Sequence, residues 1–385
     1  MKKIILFFIL AVFLLFRPYQ LQKGLLLYNG DDYSYLAHAT SIAFGQFPSY
    51  EKEFFTALAK DGLPSHPFGP GIMASPFVFF FSLFDRLGDS DIIVQRTREN
   101  LPGSWAAFGF FFSTVFYFLL ALALFYRGLR FHFSRETASW AVILMVLAEG
   151  IPLYVLRRPV FSHVYELFLH AIPFFFLLRA FAQEKRSFSY KTMFLVGMAC
   201  GMMALVRNNN VVWTLTWPVV LATVWPNNFW KKRFSLVALA YLGAAVPFVL
   251  FLVLPGFAFY TQAGAGYLLH AHTALFYLQR LWHIVFGIDW GLLYTAPFLV
   301  VGMLMLCVVR RDIRSRLLML VAPLMVNFFI VMQWGTQASW YGYRYLLFSA
   351  VPVALFPFAF WLNKIFNEKL SWPRWFLVFL TLSPV

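Results

Sequence analysis

Long apolar runs alternate with short connectors along this chain, and every second connector is rich in Lys and Arg. A helix that crosses a bilayer needs about 20 mostly apolar residues. Runs that reach or approach this length predict spans over 4–21, 104–126, 137–156, 164–182, 192–206, 211–226, 235–255, 291–309, 317–333, 345–362 and 375–385. The last of these barely begins before residue 385. Ile72 to Phe84 is apolar over only thirteen residues, which predicts an interfacial or re-entrant segment. The first run follows Met1-Lys2-Lys3, as in a signal peptide. Arg17-Pro18-Tyr19-Gln20 stands where a small-residue cleavage site would be, so an uncleaved first span is expected. The fold expected is all-α and polytopic, with about 10–11 transmembrane helices in one domain over 1–385.

Composition agrees with the pattern. Hydrophobic residues make up 61% of the 385, charged residues 12%, and the mean hydropathy is +0.70. A soluble domain carries about twice that charge. Cys200 and Cys307 both lie in apolar runs, without the spacing of a disulfide framework or a zinc site. The net charge of +15 would suit a nucleic-acid binder if it were spread over a soluble surface. It is not. With the N-terminus inside, nineteen of the 31 cations and four of the 16 acids fall in the inner loops. The whole excess is then cytoplasmic and reports topology, so no nucleic-acid partner is expected. If Ile72–Phe84 crossed the membrane, the alternation would invert from that point.

The inner loops read as plain basic connectors. The outer side holds two long segments, about 22–103 and 256–290, the first expected to carry interfacial helices. Residues able to do chemistry concentrate on that side. Asp31 and Asp32 follow the first span in Asn29-Gly30-Asp31-Asp32-Tyr33. Adjacent carboxylates there suit a general base with a helper, or simply a helix N-cap. Ser65-His66-Pro67-Phe68-Gly69-Pro70-Gly71 predicts a defined turn that sets His66 at the membrane surface. Arg157 and Arg158 precede Ser162-His163 and break the positive-inside trend. Such cations call for a partner: Glu149, Glu166 or a phosphate.

Arg207-Asn208-Asn209-Asn210 adds another outer cation at a turn. His270, His272, Arg280, His283 and Asp289-Trp290-Gly291 occupy the second long segment. His270 and His272, two residues apart, would not share a helix face, and a metal site there has no clear third ligand. Residues 333–345 set Trp334, Trp340, Tyr341, Tyr343 and Arg344 among Gly, Gln and Ser. That mixture suits membrane-interface anchoring, and equally a wall that stacks on sugars and bonds their hydroxyls. All these groups fall on the outer side, where no ATP is present. The chain has neither a P-loop nor a G-x-G-x-x-G in the right setting. A substrate that arrives already activated, such as a sugar on a polyprenyl phosphate, would answer that constraint.

Here the chain resembles the membrane-embedded C-type glycosyltransferases, in particular the bacterial branch similar to protein mannosyltransferases and aminoarabinose transferases. The resemblance rests on Asp31-Asp32-Tyr33, where the family commonly has Asp-Glu, on Phe286-Gly287-Ile288-Asp289-Trp290-Gly291 with its continuation to Pro297, and on Trp340-Tyr341-Gly342-Tyr343-Arg344. It implies inverting transfer from a polyprenyl-phosphate sugar to a hydroxyl of an envelope glycan, lipid or protein. The enzyme would sit in a bacterial inner membrane with its site facing the periplasm. By that resemblance Asp31 is the base, and Asp32 takes the Glu position with a shorter side chain. Arg158, Arg207 and Arg344 would hold the donor phosphate. His66, His163, Glu166, Asp289, Trp340 and Tyr343 would bind substrate. No cofactor is demanded, and the acidic pair is compatible with a divalent metal. A transporter or flippase of a lipid-linked anion would place ionisable residues near the midplane and often show inverted repeats, whereas the expected spans carry almost no charge, Glu149 being the main exception. An enzyme like the O-antigen ligases and polymerases would share the outer arginines without needing an acidic pair after the first span.

Overall fold

The computed structural model describes residues 30–47, 66–87, 105–182, 188–224, 230–253, 273–287, 291–333 and 344–367. Thirteen α-helices and no strand occur among them. They are α1 (Gly30–Ala43), α2 (Gly69–Leu87), α3 (Trp105–Leu129), α4 (Arg135–Ala148), α5 (His163–Ala182), α6 (Tyr190–Val206) and α7 (Val211–Ala222). There follow α8 (Trp230–Phe248), α9 (Ala274–Phe286), α10 (Leu292–Thr295), α11 (Pro297–Met305), α12 (Arg311–Gln333) and α13 (Arg344–Asn367). The protein is an all-α polytopic membrane protein. Among the described residues five helices, α3, α5, α8, α12 and α13, are long and apolar enough to cross a bilayer. The expected first and last spans, 4–21 and 375–385, lie outside the described residues.

Helix ends follow local chemistry. The hydroxyls of Ser134, Ser189 and Thr273 accept the backbone N–H three residues on, as N-caps do. At the other end of α7, the guanidinium groups of Arg233 and Arg316 both donate to the Thr223 carbonyl, at 3.3 and 3.1 Å. Arginines in the first two turns of α8 and α12 thus satisfy a C-terminal carbonyl of α7 and oppose the dipole there.

Three expectations change. The helix around Ile72–Phe84 has nineteen residues, so Gly69, Pro70 and Gly71 open a helix instead of forming a turn. By length and composition it counts among the shorter apolar helices and not among the five candidate spans. The run 291–309 is interrupted: Ala296 separates α10 from α11, and Pro297 takes the first turn of α11. The run 137–156 is also broken. Helix α4 stops at Ala148, Gly150 has φ +60°, and a π-turn covers Leu153–Arg157.

The chain divides into two compact units. The first comprises 1–119, 153–165 and 249–266, the second 120–152, 166–248 and 267–385. In the first unit α1 packs on α2 at Gly71. A Cβ on Gly71 would lie 2.5 Å from His38 Cβ and 2.8 Å from the Ala39 nitrogen, so no larger residue permits this approach. Phe77, Phe81 and Phe84 of α2 meet Trp105, Phe108 and Phe112 of α3. The Asp85 carboxylate accepts the N–H groups of Trp105 and Ala106, at 2.8 Å each, and so caps α3 from twenty residues upstream. In the second unit α6 packs on α8, and α13 contacts α4, α11 and α12.

Candidate functional site

Helix α1 begins at Gly30, so Asp31 and Asp32 occupy its first turn, where the helix dipole favours negative charge. The side chain of Asp31 lies outside the described residues. Asp32 is described and almost wholly buried, at 1% exposure. Its partner is Arg158, itself 3% exposed. Nη2 of Arg158 donates to both Asp32 oxygens, at 3.3 and 3.1 Å. To the partners open from the sequence, Glu149, Glu166 and a phosphate, the structure adds Asp32 of the acidic pair, 126 residues away. Glu149 is buried, and neither of its oxygens has a hydrogen-bond partner among the described residues.

Local structure explains how Arg158 reaches that place. The π-turn Leu153–Arg157 carries one extra residue per turn, and the Arg158 N–H bonds back to the Leu153 carbonyl at 3.0 Å. Such insertions re-aim the residues that follow and recur at functional sites. The guanidinium carbon then lies 4.2 Å from the centre of the Phe161 ring, which shields one face of the cation. His163 is buried beside the same ring, 5.9 Å from Phe161 and 5.0 Å from Tyr154 between centroids.

His66 stands half-buried, its ring 5.5 Å from that of Tyr35, one turn along α1 from Asp32. His38, which the sequence reading passed over, is buried next to it. Its Nε2–H donates to the His66 carbonyl at 2.9 Å, which fixes its tautomer and ties His66 to α1. Burial lowers the His38 pKa to about 4, so this imidazole is neutral at pH 7. The acidic pair, His66, Arg158 and His163 therefore all belong to the first unit.

The second unit holds Glu166 and Arg207, both buried, 3.5 Å apart. Arg207 ends α6 and opens a 3-10 turn over Asn208–Asn210, where its Nε donates to Asn209 Oδ1 at 3.4 Å. The Asn run is thus the turn its composition suggested. Arg344 starts α13, and its side chain lies outside the described residues, as do Asp289, Trp340, Tyr343, His270 and His272. Within the segment 256–290, α9 is described. Arg280 lies over the Phe276 ring there, and His283 is exposed.

No group of three or more His, Cys, Asp or Glu able to hold a metal occurs among the described residues. Asp32 faces a guanidinium, and the side chain of Asp31 lies outside the described residues. What the described residues do make is a buried anion–cation pair at a helix N-terminus. The Phe161 ring covers the cation, a setting suited to fixing charged groups in place.

No family model and no curated protein matches the sequence. Solved structures of the Archaeoglobus fulgidus oligosaccharyltransferase do match by fold. The apo form has a TM-score of 0.50 at 12% identity, over 97% of this chain and 53% of that one. The form with zinc and sulfate gives 0.47 at 13%, over 93% and 47%. The complex with an inhibitory peptide and a dolichol-phosphate gives 0.49 at 13%, over 94% and 51%. The chain spans about half the length of these structures. At such identity the likeness to the apo form concerns the fold alone.

Proposed function

We propose that the chain is an inverting glycosyltransferase. It moves a sugar from a polyprenyl-phosphate donor to an acceptor hydroxyl at the outer face of a bacterial inner membrane. The carbonyl-free chemistry is simple: the bond from the sugar's anomeric carbon to phosphate oxygen breaks as the acceptor oxygen attacks from the opposite face. The acceptor proton passes to Asp31, and the polyprenyl phosphate leaves with the electron pair. Negative charge grows on the departing phosphate, where arginine forks are most effective.

The observation that carries this reading is the buried Asp32–Arg158 contact, 3.1 Å long. It joins the acidic pair to an arginine on the wrong side of the charge pattern, which no capping role for the acids requires. Asp32 holds Arg158 in register, Arg158 meets the donor phosphate, and Asp31 is left for the base. Arg207 and Arg344 are assigned to phosphate on charge alone. His66, His163, Glu166, Asp289, Trp340 and Tyr343 are assigned to binding sugar or acceptor. The acceptor is an envelope glycan, a lipid or a protein.

The test uses the purified protein in lipid nanodiscs, offered polyprenyl-phosphate sugars, alongside mass spectrometry of envelope glycans with and without the gene. Asp31→Asn should stop transfer while leaving the melting temperature unchanged. General-base help is worth about 10²–10⁴ in rate, and Asn cannot take the proton. If Asp31 only caps α1, Asn replaces it without loss, because the two cap about equally well. Normal transfer by Asp31→Asn would remove the base from this scheme.

A further inference from the structure

Three hydroxyls buried in the first unit have no part in the chemistry above, yet they adjoin the turn that carries Arg158. Thr114 and Ser113 lie on α3, and Tyr165 on α5. All three are buried. Tyr165 OH lies 2.6 Å from Ser113 Oγ and 3.1 Å from Thr114 Oγ1. Ser113 donates to the Phe110 carbonyl at 2.7 Å, and Thr114 donates to the Pro159 carbonyl. Each proton is used once in this arrangement: the phenol donates into the pair of aliphatic hydroxyls, and theirs go on to backbone oxygens. The Pro159 carbonyl follows Arg158 directly. Proline has no N–H, and the turn at 158–161 is closed by a Phe161 N–H to Arg158 carbonyl bond of 3.2 Å. The Thr114 hydroxyl therefore ties α3 to the residue next to the guanidinium.

We propose that Thr114 is a positioning residue for Arg158. Its hydroxyl, oriented by Tyr165, fixes the Pro159 carbonyl and thereby sets the guanidinium against Asp32. The proposal rests on the glycosyl-transfer reading for its effect on turnover, and on geometry alone for its effect on the Asp32–Arg158 contact. A small misplacement of such a group costs rate with little cost in substrate binding.

Thr114→Val keeps the shape and removes the hydroxyl, whereas Thr114→Ser keeps the hydroxyl. With the full chain in nanodiscs, Thr114→Val should lower kcat about tenfold at an unchanged donor KM. Thr114→Ser should stay within about twofold of the parent. In an Arg158→Lys background, Thr114→Val should change kcat by less than about twofold, because the group it positions is gone. Equal losses in both backgrounds, or full kcat in Thr114→Val, would overturn the proposal. If Thr114→Val does not fold, Tyr165→Phe takes its place, with about a threefold loss expected and none in the Arg158→Lys background.

If the parent protein transfers no sugar from any donor, the glycosyltransferase reading fails while the positioning claim is still decided by melting. The shifts caused by Thr114→Val and Asp32→Asn should then be non-additive, since both loosen one contact. Additive shifts would sink it.

Discussion

Among the described residues two arginines are buried against carboxylates, and the two pairs are made differently. Asp32–Arg158 joins a helix N-terminus to a π-turn 126 residues away, with both carboxylate oxygens engaged and an aromatic ring over the cation. Glu166–Arg207 is longer, at 3.5 Å, and its arginine sits at a corner between two consecutive elements, with Asn209 beside it. Asn210 completes that corner by donating to the Met203 carbonyl at 3.4 Å. In the second arrangement an arginine at a helix–turn–helix corner meets a carboxylate from the first turn of α5, with no π-turn before it. The first depends on a local irregularity, Gly150 followed by the π-turn, to bring a distant residue into line. Irregular backbone is retained where a side chain has to be aimed, which is the ground on which the first pair is proposed as the working one.

The sharpest way to break the comparison is to remove one partner from each pair. Arg158→Ala leaves Asp32 buried and uncompensated, at a cost of about 3–5 kcal/mol in stability. Replacing both partners, as Asp32→Asn with Arg158→Met, should recover most of that stability but none of the transfer. Thermal unfolding followed beside turnover checks both outcomes. Recovery of transfer in the double variant would place the chemistry elsewhere.

A pH scan separates the first unit next. His38 keeps its imidazole neutral down to about pH 4 in the fold, whereas an unfolded histidine takes a proton near 6.5. Between those values the unfolded chain binds the extra proton. The stability contributed by His38 is therefore present above about 6.5 and lost as the pH falls toward 4. At 1.36 kcal/mol per pH unit the loss amounts to about 3 kcal/mol over that window. His38→Gln, which keeps a donor for the His66 carbonyl, should flatten the slope between pH 6.5 and 4. A slope unchanged in that variant would assign the titration to another group.

The smallest effect is expected at the second pair. Glu166→Gln keeps the volume and a polar contact for Arg207, and should cost about 1–3 kcal/mol. Transfer per folded molecule should fall far less than in Arg158→Ala. If Glu166→Gln abolished transfer at full stability, the ranking of the two pairs would reverse.

Much of the fold was legible because it is local. The expected spans 104–126, 164–182 and 192–206 agree with α3, α5 and α6 to within a few residues at each end. Apolar length and Ser or Thr capping are properties of neighbouring residues, and the sequence displays them directly. The candidate site was legible in its residue types. Asp32, His66, Arg158 and His163 were all marked, the first by position after an apolar run and Arg158 by its violation of the charge rule. Thr114, Tyr165 and His38 carried no such signal. A hydroxyl or an imidazole inside an apolar run reads the same whether it satisfies its own helix or steadies a distant turn.

By itself, then, the sequence determined the solvent this chain lives in, the positions of its main helices, and Arg158 and Arg207 as cations in need of partners. Those follow from transfer energies and from bonds closed within a few residues. Which carboxylate meets which arginine was decided only in the tertiary structure. The choice turns on helix phase, and a single extra residue in the π-turn before Arg158 changes that phase by about 100°. The Gly71 contact of α2 with α1, and the reach of Thr114 to the Pro159 carbonyl, depend likewise on how separate helices pack. Local patterning specifies helices; it leaves their register against one another to the close packing of side chains.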